Sequence, residues 1–130
     1  MPLFYQPTSI IKEFTADLTQ AAGTYDLCTA SGDVHINMYD IAIYVATAGA
    51  TLTSVSIQTN QTNATIIMTS VEGAVANLIA QKNVVRAIVT PSMTLRSGQK
   101  IQYTIVGATG TGSLKVPIVF TAITGGANLT

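Results

Sequence analysis

Charged side chains are scarce in this sequence. Only 9% of its 130 residues are Asp, Glu, Lys or Arg, against about 25% in an ordinary soluble domain. The formal net charge is +0 and the mean hydropathy is +0.43. A small monomer usually carries more charge than this, with a net charge away from zero. Threonine hydroxyls could solvate the surface instead, but we favour a second explanation, in which much of the surface is covered inside an assembly.

Cysteine and histidine occur once each and tryptophan is absent, which removes several classes of site. The single cysteine, Cys28, excludes an intrachain disulfide, and we expect a buried or half-buried inert thiol. The sequence has no nucleophile elbow of the G-x-S-x-G type and no cluster with metal-ligand spacing. We therefore expect a protein that is not an enzyme, with no catalytic residue, no metal site and no cofactor.

Long apolar runs and targeting signals are also missing. No stretch approaches the roughly 18 apolar residues of a membrane-spanning helix. The first residues, MPLFYQPTSIIKEF, lack the basic region and apolar run of a signal peptide. The few cations are too scattered to form a nucleic-acid footprint. We expect neither a membrane nor a nucleic acid as a partner.

The charges that are present are segregated along the chain. All six acidic residues lie before residue 73, and five of the six basic residues lie beyond residue 80. This asymmetry could steer head-to-tail contacts between copies. We favour the alternative, in which the two halves interleave in one sandwich and the charges neutralise each other locally.

The clearest structural pattern lies between Leu95 and Ile123. Apolar residues alternate there with polar ones in two runs, which predicts two strands, each with one buried face. Gly107, Gly110 and Gly112 separate the runs and supply the conformations that a hairpin turn needs. The predicted core positions of this hairpin are Ile101, Tyr103, Ile105, Leu114, Val116, Ile118 and Phe120.

Six further strands are predicted upstream, which makes eight in all. We expect an all-β protein, an antiparallel β-sandwich, with an eight-stranded jelly roll as the leading topology and an immunoglobulin-like sandwich as the second. Strand order is not visible in a single sequence. The predicted strands are Ser9–Thr15, Thr24–Thr29, Val34–Ala46, Thr51–Thr59, Ala64–Val71, Val84–Thr90, one beginning at Lys100, and Ser113–Ile123.

Several local features qualify these strands. The apolar positions of Val34–Ala46 change phase, which predicts a β-bulge near Met38–Asp40. Pro117 removes a ladder donor, so we expect its strand at a sheet edge or locally bulged. His35 shares a strand face with Asp33 and Asn37, which predicts a hydrogen-bonded surface row. Thr53, Val55, Ile57 and Thr59 are expected on one face. Helical spacing within Glu72–Asn83 leaves two alternatives open, a short helix or irregular crossing and a further strand.

The two ends of the chain are expected to differ from the sandwich, which we assign to residues 9–123. Residues 1–8 contain two prolines around an apolar segment, which predicts an extended arm. Residues 124–130 form a tail that is flexible or docks elsewhere. An arm with aromatic side chains either packs on its own domain or lies across a neighbour, and we favour the neighbour. The candidate interface residues are Leu3, Phe4, Tyr5, Ile10 and Ile11.

Three segments carry a resemblance to a known family: GTYDL (Gly23–Leu27), GDVHI (Gly32–Ile36) and SGQKIQYTIVGATGTG (Ser97–Gly112). Together they resemble the jelly-roll head decoration, or cement, proteins of tailed bacteriophages. The resemblance implies a structural virion protein that is made in the host bacterial cytoplasm and stabilises the capsid exterior by bridging neighbouring shell subunits. It also implies the major capsid protein as a partner. The low charge independently suggests self-association as a dimer or trimer.

One alternative function stays open: a tail or fibre module, or a host-surface β-sandwich that binds carbohydrate. Such a module needs an exposed aromatic platform. Aromatic residues make up only 6% of the chain, so few candidates exist for that role.

Overall fold

The structure is a computed structural model that describes residues 9–39, 42–44, 52–78, 93–107 and 110–130. These residues form ten strands and one short 3₁₀ helix, Val75–Asn77. The strands are β1 (Ile10–Asp17), β2 (Gly23–Ser31), β3 (Val34–Tyr39), β4 (Ala42–Tyr44), β5 (Leu52–Thr59), β6 (Ile66–Met68), β7 (Met93–Leu95), β8 (Lys100–Gly107), β9 (Ser113–Ala122) and β10 (Asn128–Leu129).

The strands form two antiparallel sheets, so the predicted all-β sandwich is confirmed. One sheet has the order β1-β9-β3-β7, with β4 also paired to β9, and the other has the order β10-β2-β8-β5-β6. The pairs β1–β9, β2–β8, β3–β7 and β5–β6 nest inside one another along the chain and alternate between the sheets. This nesting of two Greek keys defines the jelly roll, and it replaces the immunoglobulin-like alternative.

The inner faces of the two sheets build one hydrophobic core. All seven predicted core positions of the hairpin are buried, and Phe120 and Ile101 are 0% exposed. The alternation of apolar and polar residues along β8 and β9 therefore predicted correctly which side chains face the core. Cys28 is buried as expected, with 1% of its surface exposed.

Four register shifts interrupt the strand pairing and affect which side chains face the core. In β3 the shift lies between Ile36 and Met38, at the beginning of the predicted bulge region. Val55, Ile57 and Thr59 share one face of β5, as predicted, and that face is buried. A shift between Leu52 and Ser54 leaves Thr53 exposed, so its expected place on the same face was wrong.

Two other expectations about strands need correction. The strand β9 is not at an edge, because it lies between β1 and β3. Pro117 pairs with Glu13 on β1 and lies between the residues of β9 that pair with β3 and those that pair with β4. The strand β7, which pairs with β3, was not predicted because its three residues are too few to show alternation.

The fifth predicted strand is shorter than expected, since only Ile66–Met68 is a strand. The predicted strand Val84–Thr90 lies outside the described residues. At the end of the chain, Asn128–Leu129 pairs with β2 and Leu129 is fully buried. The last residues therefore dock on the second sheet.

Candidate functional site

A row of hydrogen-bonded polar side chains crosses the outer face of the sheet β1-β9-β3-β7. Asn37 Nδ2 donates to Thr121 Oγ1 at 2.8 Å. His35 Nδ1 lies 3.2 Å from Thr94 Oγ1 on β7. The row predicted for His35 and Asn37 is confirmed. Its members are uncharged hydrogen-bonding groups, which suits contact with another macromolecular surface better than chemistry on a small substrate.

Next to this row the same face has an aliphatic patch, which is bordered by the exposed Glu13 opposite Pro117. Ile11 on β1 is 71% exposed and pairs with Val119 on β9, which is half-buried. Pro117 lies on the same face of β9, two residues from Val119. Ile10 faces the other side of β1, at the open end of the core, and is 39% exposed. A large, exposed aliphatic side chain beside other apolar groups indicates an interaction surface.

The other end of this face carries charge. Lys115 Nζ on β9 donates to Thr15 Oγ1 on β1 at 2.7 Å. Asp17 is the last residue of β1, and its carboxylate accepts hydrogen bonds from Thr19 Oγ1 at 2.6 Å and from Thr19 N at 2.9 Å. These two bonds hold the pKa of Asp17 below its usual value. The face therefore changes from apolar to charged along the length of β1.

The outer face of the second sheet has hydroxyl and amide groups with few charges. Thr24 and Thr104 hydroxyls lie 2.9 Å apart across β2 and β8. Gln102 Nε2 donates to Asp26 Oδ1 at 2.9 Å, and Lys100 Nζ donates to Asp26 Oδ2 at 2.6 Å. Hydrogen bonding from Gln102, and then from Lys100, lowers the pKa of Asp26. The one charge pair on this face is therefore neutralised within it.

A shallow groove of about 240 Å³ lies at the β5–β6 end of the second sheet. Its lining has no charged and no aromatic side chain, so it lacks the groups that orient an ionic or sugar ligand. The lining residues are Ser56, Gln58, Ile66, Met68, Thr69 and Ser70.

At one end of the sandwich Asp33 joins three loops. Its carboxylate accepts hydrogen bonds from Ser97 N at 2.9 Å and Arg96 Nη1 at 3.1 Å. Its backbone carbonyl accepts one from Ile123 N at 2.8 Å. The Ser97 amide, followed by Arg96, lowers the pKa of Asp33. The ion pairs of Asp33 with Arg96 and of Asp26 with Lys100 join acids of the first half to bases of the second. This confirms local charge neutralisation.

The side chains of Cys28, Phe14, Tyr25 and Tyr103 belong to the core or pack against it. Burial raises the pKa of the Cys28 thiol to about 12, so the thiol stays protonated. Tyr25 and Tyr103 rings lie 5.6 Å apart, and Phe14 packs against the core. No group of three His, Cys, Asp or Glu residues that could hold a metal occurs among the described residues. In the same part of the chain, no helix is long and apolar enough to span a bilayer.

The predicted interface residues fall into two groups. Ile10 and Ile11 are exposed at the start of β1, whereas Leu3, Phe4 and Tyr5 lie outside the described residues. Val119 and Pro117 join Ile11 on the outer face, and neither was predicted from the sequence to be an interface residue. The alternation in β9 indicated that they face outward, but only the pairing of β9 with β1 places them beside Ile11.

Comparison with known proteins yields one structural similarity. No protein-family model and no curated protein matches the sequence. A chain in the acidic stable capsid structure of Helicobacter pylori bacteriophage KHP30 is similar over 94% of this chain and 92% of that chain. The identity is 12% and the TM-score is 0.49. The function is therefore inferred from the surfaces of the present chain.

Proposed function

We propose that this protein is a structural component of a bacteriophage virion that decorates the capsid exterior and stabilises it by bridging neighbouring shell subunits. The observation that carries the proposal is the outer face around Ile11, where an exposed aliphatic patch adjoins a row of neutral hydrogen-bonding groups. A surface of this composition gains from being covered by another protein.

The charge distribution supports the same role. The ion pairs Asp33–Arg96 and Asp26–Lys100 satisfy charges within the molecule. Little unbalanced charge is then left on the described faces to repel a neighbour or to attract a nucleic acid. A protein packed in many copies on a shell benefits from this arrangement, and self-association as a dimer or trimer is part of the proposal.

A carbohydrate-binding role is less well supported. Sugar recognition on a flat β-sheet usually needs an exposed aromatic ring. Among the side chains that the structure describes, Phe14, Tyr25, Tyr103 and Phe120 all contact the core. The groove near Gln58 contains no aromatic residue. We therefore place the tail, fibre or glycan-binding module second.

Co-sedimentation with purified, undecorated shells of the phage that encodes the protein tests the proposal. The full chain should pellet with the shells in a saturable manner and should raise the temperature at which they disrupt. The substitution Ile11→Lys on the proposed face should weaken pelleting by about tenfold or more, because it places a charge in a desolvated contact. Gln58→Lys, on the outer face of the other sheet, is the matched control. Binding to a glycan panel with no binding to shells would contradict the proposal.

A further inference from the structure

The strand β1 differs from the other strands that end a sheet. Within the described residues, β6 and β7 have three residues each and β10 has two, whereas β1 has eight. Very short edge strands are a common way to prevent pairing with other chains. Among the described strands, the edges formed by β6, β7 and β10 are short in this way, and the edge formed by β1 is not.

The geometry of β1 also suits pairing. It matches β9 over eight consecutive residues with no register shift, so no bulge twists this edge away. Its lysine faces inward, where Lys12 Nζ donates to Asn128 Oδ1 at 2.7 Å and to the Leu129 carbonyl at 2.9 Å. The Lys12 side chain therefore connects β1 to β10 of the other sheet. It does not place a positive charge on the outer face of β1, where it would oppose pairing with another strand.

We propose that β1 pairs with β1 of a second copy, antiparallel across a two-fold axis at Ile11, so that the two outer sheets become one. The proposal specifies the interface for the self-association included in the proposed function. It rests on the exposed edge and on the side chains of β1, and does not depend on the shell.

The charges of β1 select this register. An axis at Lys12 or at Glu13 would set like charges directly opposite each other, which destabilises a cross-strand pair. An axis at Phe14 would place Ile11 opposite Asp17. An axis at Ile11 instead places the most exposed isoleucine of each strand opposite its counterpart, so the aliphatic patches of the two copies become one patch on the same outer face.

Cross-linking tests the register directly. Residues opposite each other in an antiparallel pair have Cα atoms about 4.5 or 5.5 Å apart, which is within disulfide range. The full chain with Ile11→Cys should give a covalent dimer under mild oxidation, whereas Thr15→Cys should not, because it lies four residues from the axis on the same face. Cys28 does not compete, since it is buried and protonated. Equal cross-linking at both positions, or none at Ile11→Cys, would overturn the proposal.

Sedimentation of the unmodified protein provides the second readout. The full chain should sediment as a dimer at tens of micromolar, and Ile11→Lys should raise the dissociation constant about tenfold or more by placing two cations opposite each other. A monomeric or trimeric wild-type chain would refute the two-fold interface. If a monomeric or trimeric chain binds shells, the decoration role is supported and the β1 interface is refuted. If the chain is a dimer that does not bind shells, the β1 interface is supported and the decoration role is refuted.

Discussion

At the scale of single residues, Gly73 lies where the backbone leaves no space for a side chain. Its amide donates to the Thr69 carbonyl at 2.9 Å, and its carbonyl accepts from Val55 N at 2.9 Å. The Cβ of any other residue here would overlap the Val55 carbonyl oxygen. The turn before the 3₁₀ helix can therefore approach β5 only where no side chain stands between them.

Gly73→Ala should consequently lower the free energy of unfolding by about 3 kcal/mol, since the backbone must shift to remove the overlap. Urea denaturation monitored by circular dichroism measures the loss. Gly125→Ala is the matched control, because open space surrounds that glycine and a change within about 0.5 kcal/mol is expected. Equal stability of the two variants would show that the turn does not need to approach β5 so closely.

Three carboxylates make stability depend on pH. The pKa values of Asp17, Asp26 and Asp33 are all held below the ordinary value of 3.8 by hydrogen bonds to their ionised forms. A carboxylate with a lowered pKa in the folded state stabilises the fold at pH values above its unfolded pKa. That contribution disappears as the pH falls through the lower, folded value. We expect the urea midpoint to fall as the pH decreases below about 4.

Asp33→Asn isolates one of these contributions. The variant should be less stable than the wild type at pH 7, and the difference should shrink on acidification as the wild-type carboxylate is protonated. Urea midpoints at pH 7 and pH 2.5 give the comparison. Glu13→Gln serves as the control, because the Glu13 carboxylate has no hydrogen-bond partner among the described residues. A difference that stays constant with pH would show that Asp33 does not act through its charge.

At the scale of elements, β10 is short but contributes to the core. The backbone groups of Thr130 and Thr29 form two hydrogen bonds with each other, of 2.8 and 3.0 Å. Leu129, the last residue of β10, is fully buried. Leu129→Ala should cost about 3 kcal/mol, because it leaves a cavity at the open edge of the second sheet. Asn128→Ala should cost less, since it loses mainly the hydrogen bond from Lys12. Thermal unfolding of both variants ranks them, and the opposite ranking would mean that Lys12 holds this strand.

The segment before β1 provides a second test of an element. Deleting residues 1–8 should leave the sandwich folded, because the described core residues, from Ala16 to Leu129, already pack against one another. The deletion should weaken attachment to shells and to sister copies. Circular dichroism reports the fold, and co-sedimentation and ultracentrifugation report attachment. A full-length variant with Leu3, Phe4 and Tyr5 replaced by serine separates side-chain anchoring from backbone pairing. Unfolding of the truncated chain would show that residues 1–8 belong to the chain's own core.

The sequence predicted strands where alternation was long and regular. The hairpin of β8 and β9 is an example, since every second side chain enters the core. It did not predict β7, whose three residues show no period, or the exposure of Thr53, which depends on a register shift. The place of Ile11 beside Val119 also required the structure, because pairing between residues more than 100 positions apart leaves no local signal.

At the scale of the whole molecule, the jelly-roll topology explains how charged residues that are far apart in the sequence form ion pairs. Its nested pairing brings the acidic first half against the basic second half, so Asp26 meets Lys100 and Asp33 meets Arg96. On the outer face of the first sheet, Glu13, Asp17 and Lys115 lie outside these two pairs, and the apolar end of that face lies around Ile11. We propose that neighbouring molecules cover the exposed aliphatic side chains there.

The copy number of this protein in purified phage particles tests the decoration role most directly. Quantitative mass spectrometry of intact virions can measure it relative to the major shell protein. We predict a fixed ratio to the shell subunit that is the same in filled heads and in isolated tailless heads, and that falls when Ile11→Lys replaces the wild-type chain. A few copies per virion, lost when tails are removed, would contradict the proposed role and would favour a tail or fibre component.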